Sequence, residues 1–285
     1  MTPPALHDRG RVRDAVAEAA CRLAAAGVDS AGADAAVLAA HVLGVPRDRL
    51  ALAGGFDDAQ ARAYADLVGR RAGREPLQHI TGVAYFRHLA LAVGPGVFVP
   101  RPETELLVDH VLAEVAARPG RSLLVDLCTG SGAIAVAAAT ETPGVEAHAV
   151  ELDAAAYAWA RRNVEGTGVR LHLGEAADCL PGLDGRVDVV VANPPYVPAG
   201  TPLPAEVGAD PACALYAGAD GLDGVRTVAA AAGRLLRPGG LLVCEHDDSH
   251  GESAPALLSD LEGWTGIRDH RDLAGRPRFV TARRS

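Results

Sequence analysis

Asn193-Pro194-Pro195-Tyr196 closes an apolar run, Val187-Asp-Val-Val-Val-Ala192. Two consecutive prolines fix φ and remove two N–H donors, so the backbone is stiff and extended, with its carbonyls turned outward as acceptors. A planar NH2 group arriving there would set one N–H on the Asn193 side-chain oxygen and the other on the Pro194 carbonyl, with Tyr196 over its flat face. The nitrogen of an amide or amino-base is a poor nucleophile because its lone pair is delocalised. Acceptors on both hydrogens stabilise the positive charge that grows during attack, and they also aim the lone pair. These residue types point to chemistry on a planar amino nitrogen that needs no strong base before attack. A plain turn after a strand is the alternative reading.

A second constellation lies upstream. Leu123-Leu-Val-Asp126-Leu-Cys128-Thr129-Gly130-Ser131-Gly132 reads as a buried strand, a glycine turn and a helix start. Glycines let backbone approach a ligand, and the helix N-terminus offers free N–H groups. Glu151 follows Gly132 by 19 residues, at the end of the next strand with Leu152 beside it; a carboxylate there can accept from both hydroxyls of a ribose. Gly130-x-Gly132-x-x-Ala135 also satisfies a dinucleotide fingerprint, so a nicotinamide enzyme is a rival. Asp126 favours S-adenosylmethionine, because an acid before the turn can hold the ammonium of a methionine but would repel a pyrophosphate.

Composition narrows the field. All 27 basic residues are arginine, which excludes lysine Schiff bases, P-loop lysines and kinase lysines. Acids number 36, for a net charge of −9, which argues against broad adhesion to nucleic acid or anionic membrane. Five scattered cysteines without C-x-x-C spacing make a disulfide framework or zinc ribbon unexpected. The first residues, MTPPALHDRGR, hold no apolar leader core, and the chain has no run of about 18 apolar residues. A soluble, cytoplasmic, reduced monomer is the expectation, with no membrane partner and no stable nucleic-acid partner.

The elements that must position these residues can be read in order. Residues 1–75 read as a small helical-bundle domain, with Gly27 and Gly44 as stops, Ser30 and Asp57 or Asp58 as caps, and Pro46 opening a short helix. Residues 76–100, with alternation around Tyr85-Phe86 and His88–Val93, read as a hairpin-like linker. From Pro102 a helix runs to about Ala117. Strands then follow at Ser122–Leu127, Glu146–Val150, Val169–Leu173, Val187–Ala192 and Gly240–Glu245, with helices between them at 132–141, 154–166, 177–182 and 224–236. Two closing strands, near Gly266–Asp269 and Arg278–Ala282, leave no room for a helix and imply an antiparallel terminal hairpin. The whole is an α/β architecture: a mostly parallel, Rossmann-like seven-stranded sheet over 101–285, covered on both faces. Ligands bind beyond the carboxyl ends of such strands, so Asn193 is expected to face the crevice of Thr129–Gly132 and Glu151.

At this point the chain resembles the class I methyltransferases, specifically the protein-(glutamine-N5) methyltransferases that modify peptide-chain release factors. The likeness is carried by His41-Val-Leu-Gly44, Arg74-Glu-Pro-Leu-Gln-His-Ile-Thr-Gly82, Phe98-Val-Pro-Arg-Pro-Glu-Thr-Glu105, Asn193–Tyr196, Ala217-Gly-Ala-Asp-Gly-Leu222 and Glu245-His246. The resemblance implies a substrate, the glutamine of a Gly-Gly-Gln loop in release factors, and S-adenosylmethionine as the donor, leaving as S-adenosylhomocysteine. It implies that Cys128–Gly132 line the methionine end, Glu151 the ribose, and Glu175 with the Ala176 backbone the adenine, while Asn193, Pro194, Pro195 and Tyr196 hold the amide. Residues 1–75 would grip the release factor. An adenine amino-methyltransferase, or one acting on a glutamine of another protein, is the alternative.

The chain departs from the family where glycine is usual and Cys128 stands; a Cβ there is expected to demand ordinary φ and to present a small buried thiol. Glu151 and Glu175 replace aspartates, and Ala176 replaces an aromatic residue. Glu245–His250 reads as a solvated loop, with a metal site as its alternative, and the arginines from Arg268 to Arg284 read as a solvated basic face.

Overall fold

The computed structural model describes residues 6–285, with side chains from Val12 onward. The first five residues, part of the segment read for a leader, lie outside the described residues. The chain divides into two compact units. One runs up to Gly82 and takes in Leu203–Ala209; the other is Val83–Pro202 with Asp210–Ser285.

The first unit holds α1 (Leu6–Ala25), α2 (Ala31–Leu43), a 3-10 turn (Arg47–Leu52), α3 (Asp58–Ala72) and α4 (Leu77–Thr81). Gly44, at φ 64°, closes α2, and Asp57 opens α3 in a reciprocal capping box with Gln60. Ser30 does not cap the backbone as expected: its hydroxyl donates to the Asp34 carboxylate at 2.7 Å. Asp34 in turn accepts from Arg71 at 2.7 Å, and Arg71 reaches Glu206 of the 203–209 segment at 2.6 Å. Leu23, Leu38, Tyr64 and Val68 form the core, each large apolar side chain contributing about 1.5–3 kcal/mol by burial.

The second unit begins with a hairpin, β1 (Val83–Phe86) and β2 (Leu89–Ala92), and then α5 (Glu105–Ala116). Alternation follows: β3 (Ser122–Leu127), α6 (Ala133–Glu141), β4 (Val145–Glu151), α7 (Ala154–Val164), β5 (Arg170–Leu173), β6 (Val187–Ala192), α8 (Ala212–Leu215), α9 (Asp223–Leu235) and β7 (Leu236–Glu245). The chain closes with α10 (Ser253–Asp260), β8 (Trp264–Arg271) and β9 (Pro277–Arg284). The seven strands lie in the order β5-β4-β3-β6-β7-β9-β8, parallel through β7, with β9 antiparallel between β7 and β8. The terminal hairpin is therefore as expected. The helix expected at 177–182 shrinks to a 3-10 turn at Pro181–Leu183, because Leu180 sits at φ 54° and Pro181 has no N–H to donate.

Side chains alternate between the two faces of the sheet. Leu124, Val189 and Val191 point to the face covered by α5 and α6, whereas Val125, Leu127 and Val190 point to the face covered by α9 and α10. Burial on both faces explains why these strands are almost continuously apolar. No described helix is long and apolar enough to cross a membrane.

Candidate active site

The sheet register assembles the site. Leu127 of β3 lies opposite Ala192 of β6 on one side and Val150 of β4 on the other. Cys128, Asn193 and Glu151 thus each come one residue later, side by side at the carboxyl edge. β4 and β5 run to one side of β3, and β6 and β7 to the other. A crevice opens where the strand order reverses, and this is where an open parallel sheet takes its ligands.

The glycine turn is tied down from several directions. The Thr129 N–H donates to the Val150 carbonyl at 3.0 Å, and the Gly132 N–H to the Thr129 carbonyl at 2.9 Å. Asn163 of α7 donates to the Ser131 carbonyl at 2.8 Å and exchanges two further bonds with the backbone of Ala92. Gly130 has φ 58°, and a Cβ built there meets nothing within 4 Å, so its outer face is open. Cys128 corrects an expectation. Its φ is 59°, the left-handed region, so the cysteine keeps the glycine-like backbone at a cost of about 1–2 kcal/mol instead of changing it. The residue is half-buried, where a fully buried thiol was the expectation, yet desolvation, then the charges of Glu151 and Asp126, push the thiol up to about 12, which disfavours the nucleophilic thiolate.

Asp126 is fully buried beneath the turn. Its Oδ2 accepts from the Thr129 hydroxyl at 2.5 Å and the Ala135 N–H at 3.1 Å. Its Oδ1 is buried and has no hydrogen-bond partner among the described residues. Burial raises this carboxyl to about 7, against the opposing effect of its two donors. Glu151, also buried, accepts from the Gly130 N–H at 2.7 Å and the Asp153 N–H at 2.8 Å. Burial lifts it above the usual carboxylate range, while those N–H groups pull it back. Leu152 is exposed. Leu173 lies opposite Glu151, so the exposed Glu175 and the buried Ala176 emerge just beyond the neighbouring strand.

At the other wall, Asn193 and Tyr196 are half-buried and Pro194 is buried. The Asn193 Nδ2 donates to Thr104 Oγ1 at 3.2 Å, and Thr104 donates to Glu245 Oε2 at 2.8 Å. The Tyr196 hydroxyl reaches the other oxygen of Glu245 at 3.3 Å. The expectation that both proline carbonyls face outward needs correction. The Pro195 oxygen is packed against Gly224 in the first turn of α9, so closely that a Cβ at Gly224 would collide with it.

The link from Glu245 through Thr104 to Asn193 carries no signal in the sequence: these residues come from separate segments and show no joint spacing. The solvated-loop reading of Glu245–His250 holds only in its middle, where Asp248 and Ser249 are exposed. Glu245, His246 and His250 are buried, with His246 3.1 Å from Asp269 and His250 3.0 Å from the Asp220 carbonyl. No group of residues that could hold a metal occurs among the described residues. The basic terminus is largely paired: Arg278 meets Asp272, Arg283 meets Glu114, and Arg284 meets the carbonyls of Gly233 and Gly263. Arg101 pairs with Asp210 at 2.6 Å.

Comparison with known proteins decides among the readings. The PrmC N-terminal domain model matches residues 14–82, and the methyltransferase small domain model matches residues 91–203. A release factor glutamine methyltransferase of Streptomyces coelicolor is 50% identical over 95% of this chain and 97% of its own. The chain belongs to the release factor glutamine methyltransferase family.

A relative from Streptomyces pristinaespiralis, a 4-amino-L-phenylalanine/4-methylamino-L-phenylalanine methyltransferase, is 41% identical over 88% of each chain. The fold alone is shared with the hMettl16 catalytic domain, solved with an RNA hairpin, at 16% identity and a TM-score of 0.53 over 81% of this chain and 84% of that one.

S-adenosylmethionine, the methyl donor of this family, fits the turn of the methyltransferase. The Glu151 carboxylate has lone pairs to offer a ribose, and the unpartnered Asp126 oxygen is a buried acceptor that an ammonium would draw into its ionised form. The open face of Gly130 lets the ligand lie against backbone. A dinucleotide would bring its pyrophosphate towards two buried carboxylates, which opposes binding.

Proposed function

We propose that this methyltransferase transfers the methyl group of S-adenosylmethionine to the side-chain amide nitrogen of the glutamine in the Gly-Gly-Gln loop of peptide-chain release factors, acting in the cytoplasm as a monomer. The observation that carries the reading is the pairing of Leu127 with Ala192, which brings the cofactor turn and the Asn193 segment to one crevice.

When bound, S-adenosylmethionine supplies an electrophilic methyl on a sulfonium. The chain supplies the rest. Asp126 and Glu151 hold the cofactor's ammonium and ribose, with Cys128–Gly132 and Leu152 along its length and Glu175 and Ala176 at the adenine. Asn193 Oδ1 and the Pro194 carbonyl accept the two amide hydrogens, while Tyr196 covers the amide plane and Pro195 stiffens the backbone. Accepting both hydrogens stabilises the charge that develops on nitrogen and holds its lone pair in line. The proton leaves after attack, so no strong base is required beside the nitrogen. Residues 1–75 form the surface for the release factor, and 76–100 link it to the catalytic part.

The relative that methylates an arylamine keeps a second reading in view, another planar NH2 substrate. Nucleic acid is disfavoured by the net charge of −9. Incubation with a release factor, a plasmid and free 4-aminophenylalanine, each with labelled S-adenosylmethionine, separates the cases. Label in the glutamine peptide alone supports the proposal, and label only in one of the other two rejects it.

A further inference from the structure

An asparagine amide serves as an acceptor only if its oxygen, and not its nitrogen, faces the substrate. The two ends differ little in shape, so packing alone does not choose between them; hydrogen-bond partners do. Here the choice is made by three residues from separate elements: Asn193 after β6, Glu245 at the end of β7, and Thr104 at the end of the short 3-10 turn before α5. Ala192 lies opposite Cys244, so Asn193 and Glu245 come next in line on neighbouring strands.

The direction of each hydrogen bond follows from the chemistry. Once ionised, which burial delays to about pH 7, Glu245 can only accept. The Thr104 hydroxyl has one proton, and it goes to Glu245 Oε2 at 2.8 Å. What Thr104 then offers Asn193 is lone pairs, so the atom facing it at 3.2 Å must be the donor Nδ2, and Oδ1 must point the other way. The second carboxylate oxygen accepts from the Tyr196 hydroxyl at 3.3 Å, so one buried carboxylate anchors both ends of the motif. Burying a carboxylate at 1% exposure costs stability that an apolar side chain would not.

We propose that Glu245 and Thr104 are positioning residues that fix the orientation of the Asn193 amide, presenting its oxygen to the substrate NH2. The proposal rests on the reading of Asn193 as an acceptor for the glutamine amide, and its test separates the two.

The test uses full-length enzyme with a release factor and S-adenosylmethionine at about pH 8, where Glu245 is ionised, and measures kcat, KM, cofactor affinity and melting temperature. Thr104→Val keeps the shape and removes the relay, so Nδ2 loses its acceptor. The expected result is a fall in kcat of about 10- to 100-fold with cofactor affinity within about 3-fold, the scale of a mispositioned reacting group. Thr104→Ser, which keeps the hydroxyl, should recover most of the rate. In an Asn193→Ala background, Thr104→Val should add less than about 2-fold, because the two act through one interaction. Glu245→Gln guards against a Thr104 variant that does not fold. An amide accepts through only one atom, so either Thr104 or Tyr196 loses its acceptor, and kcat should fall although a buried charge has been removed. Asn193→Ala at the wild-type rate would reject the acceptor reading itself. A slow Asn193→Ala enzyme beside a Thr104→Val or Glu245→Gln enzyme at full rate would overturn the relay alone. So would a Thr104→Val loss that persists undiminished without Asn193.

Discussion

The carboxylate of Glu151 accepts the backbone N–H of Gly130 at 2.7 Å, closing the glycine turn of β3 onto the end of β4. Each carboxylate oxygen keeps a further lone pair for a ribose hydroxyl, so one side chain can both shape the turn and bind the sugar. Glu151→Ala should therefore weaken S-adenosylmethionine by about 10- to 100-fold, as expected for loss of hydrogen bonds to a charged group. It should also speed amide hydrogen exchange at Gly130. Calorimetry and exchange mass spectrometry read the two effects separately.

Asp126 should make cofactor binding depend on pH. Its folded-state value, raised by burial from 3.8 to about 7, means that the folded apo protein holds a proton the unfolded chain has already lost. Its contribution to stability is fully present below 3.8 and is lost as pH rises through about 7. Cofactor affinity should move the other way, rising across the same upper range, because the ammonium favours the ionised form. Asp126→Asn should flatten part of the apo melting profile and weaken the cofactor at about pH 8. Glu245, raised to about 7 by burial against the pull of Thr104 and Arg278, contributes the same sign of apo stability and leaves a residual slope. Melting curves and calorimetry from about pH 5 to 8 measure both.

Gly224 is where helix propensity and the site pull apart. Replacing a helical glycine by alanine ordinarily stabilises by about 1 kcal/mol. Here the added Cβ would strike the Pro195 carbonyl and lie 3.0 Å from the Pro194 Cβ. Gly224→Ala should instead destabilise by about 1–3 kcal/mol. It should also lower kcat by at least about 10-fold through the displaced motif. Cofactor affinity should hold, since Gly224 packs against the substrate wall. Denaturant melts with kinetics on the same preparation check the sign.

Cys128 tests whether the strained turn needs its thiol. Cys128→Gly should fold with unchanged cofactor affinity, the relief of about 1–2 kcal/mol of backbone strain offsetting the lost burial. Cys128→Val should cost more, because a β-branched residue resists positive φ. In native protein, iodoacetamide should label the exposed Cys21 and Cys213 and spare Cys128. Intact-mass analysis after brief alkylation reads this directly.

Much of the scaffold could be read from the residues. Apolar runs such as Val187–Ala192 declare buried strands, and Gly44 and Asp57 declare helix ends, because each signal is local. What stayed hidden depends on partners distant in the chain. Ser30 looks like a cap until Asp34, itself held by Arg71, takes its hydroxyl. His246 looks like a loop residue until β8 brings Asp269 beside it. The Pro195 carbonyl departs from the outward reading for the same reason: nothing in Pro194-Pro195 reveals that Gly224 will press on it. Thr104 and Glu245 are separated by 141 residues, and only the folded sheet brings them together.

The central claim is that Asn193, beside the cofactor turn, holds a glutamine amide for methylation. The most direct measurement is peptide mass spectrometry of a purified release factor after incubation with S-adenosylmethionine and either the wild-type enzyme or Asn193→Ala. The account predicts one added methyl on the glutamine of the Gly-Gly-Gln peptide with wild type. With the variant it predicts a rate lower by about 10²–10³-fold, the cost of losing a transition-state hydrogen-bond partner. An unmodified glutamine with wild-type enzyme, or equal methylation by the variant, would contradict it.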